Sequence, residues 1–347
     1  MRIFALAELA SDWYPKNALM SFQRYSNFRF VQNPAESDLV WIFSYYFPLD
    51  SIAFKPLKSW LFGHGEYRRR REFAGKPVIT SVHHLAPNKE CEFLPHIKRA
   101  DGISDAIQFF SRVNAVSNRR HFTKPVFLMP YWIDLELFSP VSEDEKKATR
   151  RKYSLPEDKI ILGSFQRDTE PDLVTPKTEK GPDVFADICE NLGRGYHVLL
   201  SGVRRNYLEG RLHDAGMPYT NLGKIPHERM RELYGCLDFY LVTSRVEGGP
   251  QAILEAMATG TPIYSTEVGI SDALVPAVIC RSADEFLSAL SGPYPDAISR
   301  HLDTVRNFEV KKVVEKFETV FAALIEAAGK GEICLPEVLP GLDWVVR

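Results

Sequence analysis

Short unbroken apolar runs recur along the chain, and the stretches between them place apolar residues three and four apart. The first runs are Ile3–Ala7, Phe28–Val31, Asp38–Phe43, Pro77–Val82 and Pro125–Pro130. Phe28–Val31 is a strand candidate interrupted by Arg29, whereas Asp38–Phe43 and Pro77–Val82 read as buried strands; strands alternating with helical patterns imply a parallel sheet with crossover helices. A second series, Lys159–Phe165, His197–Gly202, Leu237–Val242 and Pro262–Tyr264, has the same character. Helical spacing predicts helices around Ala18–Tyr25, through Val184, Phe185, Ile188 and Cys189, over His227–Tyr234, and over a long terminal stretch, Glu309–Ala328. Arg99–Ile103 reads as a short strand entry.

Two series of runs imply two sheets, and 347 residues are too many for one typical core. Between the series lies Val141–Pro156, whose charged segment Glu143-Asp144-Glu145-Lys146-Lys147 suits an exposed connecting helix. The expected organisation is therefore residues 1–155, residues 156–305, and a terminal helix and tail over 306–347.

Composition narrows the class. With 45% hydrophobic and 25% charged residues the chain reads as a soluble globular protein, and no apolar run approaches the ~20 residues of a membrane span. The start reads as a strand, because Glu8 breaks its apolar run too early for a signal peptide. Five cysteines without a C-x-x-C pair fit a reduced, cytoplasmic protein. Net charge is −2, but residues 1–140 carry an excess of five positive charges and the remainder an excess of seven negative ones. Arg68, Arg69, Arg70 and Arg71, flanked by Tyr67 and Phe73, account for much of the basic excess. They read either as a solvated face or as a peripheral contact with anionic membrane at its inner face. No nucleic-acid-binding motif accompanies them, so nucleic acid is not expected.

The candidate chemistry centres on Ser244–Gly260, S-R-V-E-G-G-P-Q-A-I-L-E-A-M-A-T-G. It follows the run Leu237–Val242, so the glycines fall where a strand gives way to a helix. Pro250 suits the first helical turn and Gly260 the end. Gly248 and Gly249 let a ligand approach the backbone, and free N–H groups at a helix start attract an anion such as phosphate. Glu247 and Glu255 would repel that anion, so they suit hydroxyl groups on either side of it. An anion between two hydroxyl-bearing groups describes a nucleotide sugar.

The spacing Glu247-x7-Glu255 within E-G-G-P-x-x-I-L-E-A-M-A-x-G-x-P resembles the donor-site signature of retaining glycosyltransferases of the GT-B fold, family-4 type. The resemblance implies an α/β protein of two Rossmann-like parallel-sheet domains facing a central cleft. It implies a hexosyltransferase that moves a sugar from a nucleotide-diphosphate sugar to a glycan, lipid-linked or other acceptor, as in polysaccharide biosynthesis. It further implies that the terminal helix packs back on the first domain, and that Val113–Ser117 is a strand before a helix. Trp132 stands where the family commonly has glycine.

Residue by residue, the resemblance gives Glu255 the ribose and Glu247 the transferring hexose. It gives Gly248, Gly249, Arg167 and Lys180 the diphosphate, with Lys177 a competitor of Lys180 because the Thr169–Glu179 stretch lengthens the family's spacing. Gly202 allows backbone approach, and Tyr219–Pro226, including Ile225, corresponds to the segment that reads the base. His83, at the end of Pro77–Val82, takes the place of the family's strand-end histidine, for the reacting sugar or acceptor. Its other reading is a satisfied structural histidine, and His84 stands in the same balance. No third ligand sits at a plausible spacing for a metal, and no cofactor is expected beyond the nucleotide-sugar co-substrate. The first-loop glycine pair of many relatives is absent from Ser11–Pro15. That leaves open a non-catalytic nucleotide-sugar-binding or regulatory protein, and a GT-B nucleotide-sugar epimerase. No G-x-G-x-x-G follows a predicted strand, which disfavours a dinucleotide dehydrogenase.

Overall fold

The computed structural model describes residues 1–7, 14–46, 53–54, 68–83 and 85–330. The chain divides into two units, one formed by Met1–Trp132 with the segment from Val310, the other by Ile133–Glu309. Each is α/β, so the fold class expected from the apolar runs is the one observed.

In the first unit, β1 (Arg2–Leu6), β2 (Arg29–Phe30) and β3 (Leu39–Ile42) join a parallel sheet. The short strands β4 (Ala53–Phe54) and β5 (Arg68–Arg69) pair separately and antiparallel. With β6 (Val78–Val82), β7 (Ala106–Phe109) and β8 (Val126–Leu128), the main sheet runs β2-β1-β3-β6-β7-β8. Every residue of β3, β6 and β7 is buried, which suits the continuous apolar run read over Asp38–Phe43 and the buried strand read over Pro77–Val82; β7, with Gln108 inside it, was not among the sequence candidates. Where polar side chains enter this core they form a chain of donors. The Trp41 indole donates to Ser81 Oγ (2.8 Å), Ser81 donates to Gln108 Oε1 (2.5 Å), and Gln108 Nε2 donates to the Met129 carbonyl (2.8 Å).

Helices α1 (Tyr14–Tyr25), α2 (Glu90–Ile103) and α3 (Arg112–Asn118) belong to this unit. Two of them correct the sequence reading. Arg99–Ile103 is the end of α2, since Ile97, Ala100 and Ile103 are buried at a spacing of three, and the strand begins later at Ala106. Val113–Ser117 is helical too, with Asn114 and Ala115 turned inward while Val113 and Val116 are exposed. The terminal helix, Val310–Gly329, packs on α1. Phe317 meets Phe22 edge to face at 5.4 Å, and Ser26 donates to Glu318 (2.7 Å). Trp132, at a common glycine position of the family, fills the same cluster and donates to the Ala18 carbonyl (3.1 Å).

The second unit opens before the boundary expected at residue 155. The charged helix α4 (Glu143–Lys152) starts with a Ser142–Glu145 capping box and ends in Arg150, Arg151 and Lys152, so its charges oppose the helix dipole. It is anchored to this unit rather than left as a linker, because Lys146 and Arg150 both hold Asp238 (2.8 and 2.7 Å). Then follow β9 (Ile160–Ser164), α5 (Pro182–Glu190), β10 (Tyr196–Leu200), α6 (Asn206–Asp214) and β11 (Tyr219–Asn221). After them come α7 (Met230–Gly235), β12 (Phe239–Val242), α8 (Gln251–Thr259) and β13 (Ile263–Ser265). The sheet is parallel, in the order β11-β10-β9-β12-β13.

Candidate functional site

That strand order fixes where a ligand can bind in the second unit. The chain leaves β9 toward β10 and β11, then returns to β9's other side for β12 and β13. At such a switch point the loops beyond the carboxyl ends diverge and leave a crevice. The loops there are Phe165–Asp168, Gly202–Arg205, Thr243–Pro250 and Thr266–Gly269.

The turn from β12 into α8 is buried along Glu247, Gly248, Gly249 and Pro250. Gly249 has φ +153°, a value that favours glycine. Gly269 fits directly over it, since a Cβ there would stand 2.5 Å from Pro250 Cδ and 2.8 Å from Gly249 Cα. Pro250 caps the helix instead of occupying its first turn, so α8 begins at Gln251. Among the described residues, neither Gly248 nor Gly249 donates its backbone N–H to a protein acceptor. Two buried donors at the positive end of a nine-residue helix are left for an anion.

Glu247 lies beside them, and its carboxylate is held at both oxygens. Lys180 Nζ pairs with Oε2 at 2.7 Å and Ser244 Oγ donates to Oε1 at 2.8 Å. Gln166 ties this arrangement to β9 by donating Nε2 to the Lys180 carbonyl (2.9 Å) while its Oε1 accepts from Ser244 (3.2 Å). Lys180 owes its place to Gly181, which has φ +59° and lies so close to β12 that a Cβ would stand 1.9 Å from the Thr243 carbonyl oxygen. Lys177, the competitor, is engaged elsewhere, at 2.6 Å from Glu179 and 3.6 Å from Glu170. The Thr169–Glu179 stretch closes on itself through the Thr169–Pro176 bridge and an Asp172 turn, so its extra length does not displace Lys180.

Arg167 is half-buried at the end of β9 and, among the described residues, has no carboxylate or hydrogen-bond partner. Burial, and then Arg204 nearby, lower its pKa, which is the position of a cation awaiting an anion. Glu255, on α8, is buried and accepts from or pairs with His227 Nε2 at 2.9 Å. Burial alone would lower the His227 pKa, but the Glu255 hydrogen bond and charge, with Glu228 and Asp134, outweigh it and raise it. Gly202 has φ +106° and donates to the Gly223 carbonyl (2.8 Å), joining the loops after β10 and β11, while Ile225 is half-buried in the second of these.

His83 lies in the first unit, where both ring nitrogens have protein partners. A carbonyl can only accept, so Nε2–H donates to Phe43 O (2.7 Å), and Nδ1 therefore accepts from the Tyr131 hydroxyl (2.6 Å). The ring is buried and stacks on Phe110 at 4.8 Å. With both nitrogens taken it has none left for a sugar hydroxyl, so this geometry matches the structural reading. His84 and Tyr67 lie outside the described residues, as do Ser11–Trp13. The arginine run is also not uniform. Arg69 is drawn into the fold by Asp105 (2.7 Å) and the Ile103 carbonyl (2.5 Å), whereas Arg70 and Arg71 are exposed.

Comparison with known proteins bears on this arrangement directly. Residues 173–292 match the family model described as "Glycosyl transferases group 1". Those residues lie wholly in the second unit and include Lys180, Glu247 and Glu255. Over those residues the second unit is similar to the glycosyl transferases of group 1. The chain is 27% identical over 165 residues to the lipopolysaccharide core biosynthesis mannosyltransferase LpsB of Rhizobium meliloti, and 29% identical over 159 residues to the putative glycosyltransferase EpsF of Bacillus subtilis. Each match covers 44% of this chain, and 43% and 38% of those proteins respectively, so the chain is matched over less than half the length of either relative. The structure of Anabaena HepE in complex with UDP and glucose superposes with a TM-score of 0.72 at 13% identity, covering 93% of this chain and 100% of that one. The fold is therefore GT-B.

Within the second unit, sequence reasoning missed three residues that hold the candidates: His227, Gln166 and Ser244. His227 was read as the start of an ordinary helix, and nothing in a sequence signals a contact with Glu255, 28 positions away. Gln166 was given no role and Ser244 entered only as the start of the Ser244–Gly260 stretch, although together they brace Glu247 and Lys180.

Proposed function

We propose that this chain is a retaining glycosyltransferase that moves a hexosyl group from a nucleotide-diphosphate sugar to a glycan or lipid-linked acceptor. The observation that carries the reading is the grouping, in the loops at the β9/β12 switch point, of two glycine amides and an arginine that have no partner among the described residues, with the Lys180–Glu247 pair. Preorganised donors of this kind stabilise charge that develops on a leaving diphosphate. Arg167, Lys180 and the Gly248 and Gly249 amides take the diphosphate in this proposal. Glu247, already fixed by Lys180 and Ser244, faces the hexose hydroxyls, and Glu255 the ribose. His83 is assigned no chemistry, only the support of the Phe43 and Tyr131 segments.

In the reaction the anomeric C–O bond to the diphosphate breaks, and a bond to the acceptor oxygen forms on the same face. The acceptor proton passes to the departing phosphate oxygen, so no separate carboxylate base is required. The named activities of LpsB and EpsF and the UDP and glucose bound to HepE agree with a donor of this class. The place of action is proposed to be the cytoplasmic face of a membrane, with Arg70 and Arg71 as contacts to anionic lipid. No helix among the described residues is long and apolar enough to cross a membrane.

Calorimetric titration with UDP, GDP and ADP and their hexose conjugates tests the donor. One nucleotide series should bind, and Glu255→Ala should weaken it about tenfold, the scale of one charge-assisted hydrogen bond lost. Absence of binding by all three series at millimolar ligand would end the donor-site reading. The anomeric configuration of the product, read by NMR, tests retention separately.

A further inference from the structure

Arg204 follows β10 and precedes Arg205, and the two neighbours have opposite fates. Arg205 is fully buried, 3.1 Å from Asp168 and donating to Ser164 Oγ at 2.9 Å, so it holds the ends of β9 and β10 together. Arg204 stays half-buried at the surface of the crevice. Its backbone is pinned in the left-handed region, φ +58°, by the Asp168 and Thr169 N–H groups, which both donate to its carbonyl at 3.2 Å. Side chains other than glycine and asparagine seldom occupy that conformation, and strain of this sort is found where function holds it.

No partner among the described residues accounts for the side chain. Among the described residues Arg204 has neither an ion pair nor a hydrogen bond from its guanidinium, and the same holds for Arg167, which feels its charge. The hydrogen bond from Asp168 N–H to the Arg204 carbonyl sets Arg204 against the residue that follows Arg167, and like charges on neighbouring loops repel until an anion lies between them. We propose that Arg204 is a second diphosphate-binding arginine, holding the nucleotide-sugar donor from the β10 side while Arg167 holds it from β9. This deepens the donor-site reading given above and rests on it. Arg204 contacts substrate, and the left-handed backbone is the cost of aiming it there.

The test uses the whole chain and three substitutions, Arg204→Gly, Arg204→Ala and Arg167→Ala, titrated with inorganic pyrophosphate, UDP, GDP, uridine and guanosine. Arg204→Gly relieves the left-handed backbone while deleting the charge, so it should melt no lower than the wild type yet bind pyrophosphate and the preferred nucleoside diphosphate about tenfold more weakly. Affinity for the nucleoside should be unchanged, and the salt dependence of diphosphate binding should become shallower. Arg204→Ala should show the same loss of affinity. If Arg167→Ala weakens diphosphate binding and neither Arg204 variant does, Arg204 is not a ligand contact, although the donor site stands. If the Arg204 variants weaken nucleoside and nucleoside diphosphate alike, Arg204 does not act on the phosphates and the proposal fails. If the wild type binds no diphosphate of any kind, both the proposal and the donor-site reading fall.

Discussion

His227 and Glu255 form a pair whose strength depends on a single proton. The imidazole is half-buried against Phe138, with ring centroids 5.3 Å apart, and Glu255, Glu228 and Asp134 supply the negative charge around it. Tyr234, buried beside Glu255, stays protonated because burial and then Glu255 push its pKa well above the ordinary value. His227 is thus the titrating partner. Its folded pKa is raised above the ordinary 6.5, so the charged pair contributes its full stability below that ordinary value and loses it as pH rises through the raised folded value. His227→Gln should flatten the dependence of melting temperature on pH across that window, while wild type falls through it. If the two profiles run parallel from pH 6 to pH 8, the pair has no such linkage. Neither residue's role was fully legible beforehand. Glu255 announced itself by its spacing from Glu247, but its partner depends on how the loop after β11 folds back over α8, which no local pattern encodes.

At the scale of elements, the loops at the switch point are shaped by a few contacts between backbones. Gly181 joins Lys180 to α5 and presses against β12, and Thr243 Oγ1 donates to its carbonyl at 2.9 Å. Alanine there would collide with the Thr243 carbonyl and would also occupy a left-handed backbone. Gly181→Ala should therefore cost about 2–5 kcal/mol of stability from overpacking and backbone strain together. Because the same shift moves Lys180 away from Glu247, donor affinity should fall as well. Gly193→Ala, at a position where a Cβ meets nothing within 4 Å, serves as the control in thermal melting and calorimetry. Equal melting temperatures for the two variants would contradict the close approach. Strands such as β3 and β6 were readable because burial on both faces leaves a largely apolar run, whereas β7, Ala106–Phe109, was missed with Gln108 inside it. Helices with mixed faces were harder. Val113–Ser117 was expected as a strand only from the resemblance; it is helical, and of its apolar Val113, Ala115 and Val116 only Ala115 is buried.

On the scale of the whole chain, the first unit is closed by residues far apart in sequence. Val310–Gly329 returns to it after the entire second unit has intervened, and Phe317 enters a cluster with Phe22, Trp41, Trp132 and Phe321. The amphipathic pattern of that helix was plain in the sequence, whereas its destination came only from the resemblance, since periodicity shows that a face is buried without saying against what. Likewise the boundary near residue 155 followed a change in composition, while the observed one, at Trp132 and Ile133, follows the ion pairs of α4. Removing the Phe317 ring should leave a cavity among four aromatic rings and cost about 3–5 kcal/mol. Spread over a unit of this size, that is a drop on the order of 10 °C in the transition that reports it. Differential scanning calorimetry of Phe317→Ala should show that drop, and titration with nucleoside diphosphate below the transition should give the wild-type affinity, since every residue proposed to hold the diphosphate lies in Ile133–Glu309. An unchanged transition would mean that the terminal helix does not close the first unit. A nucleotide affinity that fell with the melting temperature would mean instead that the donor site needs the first unit intact.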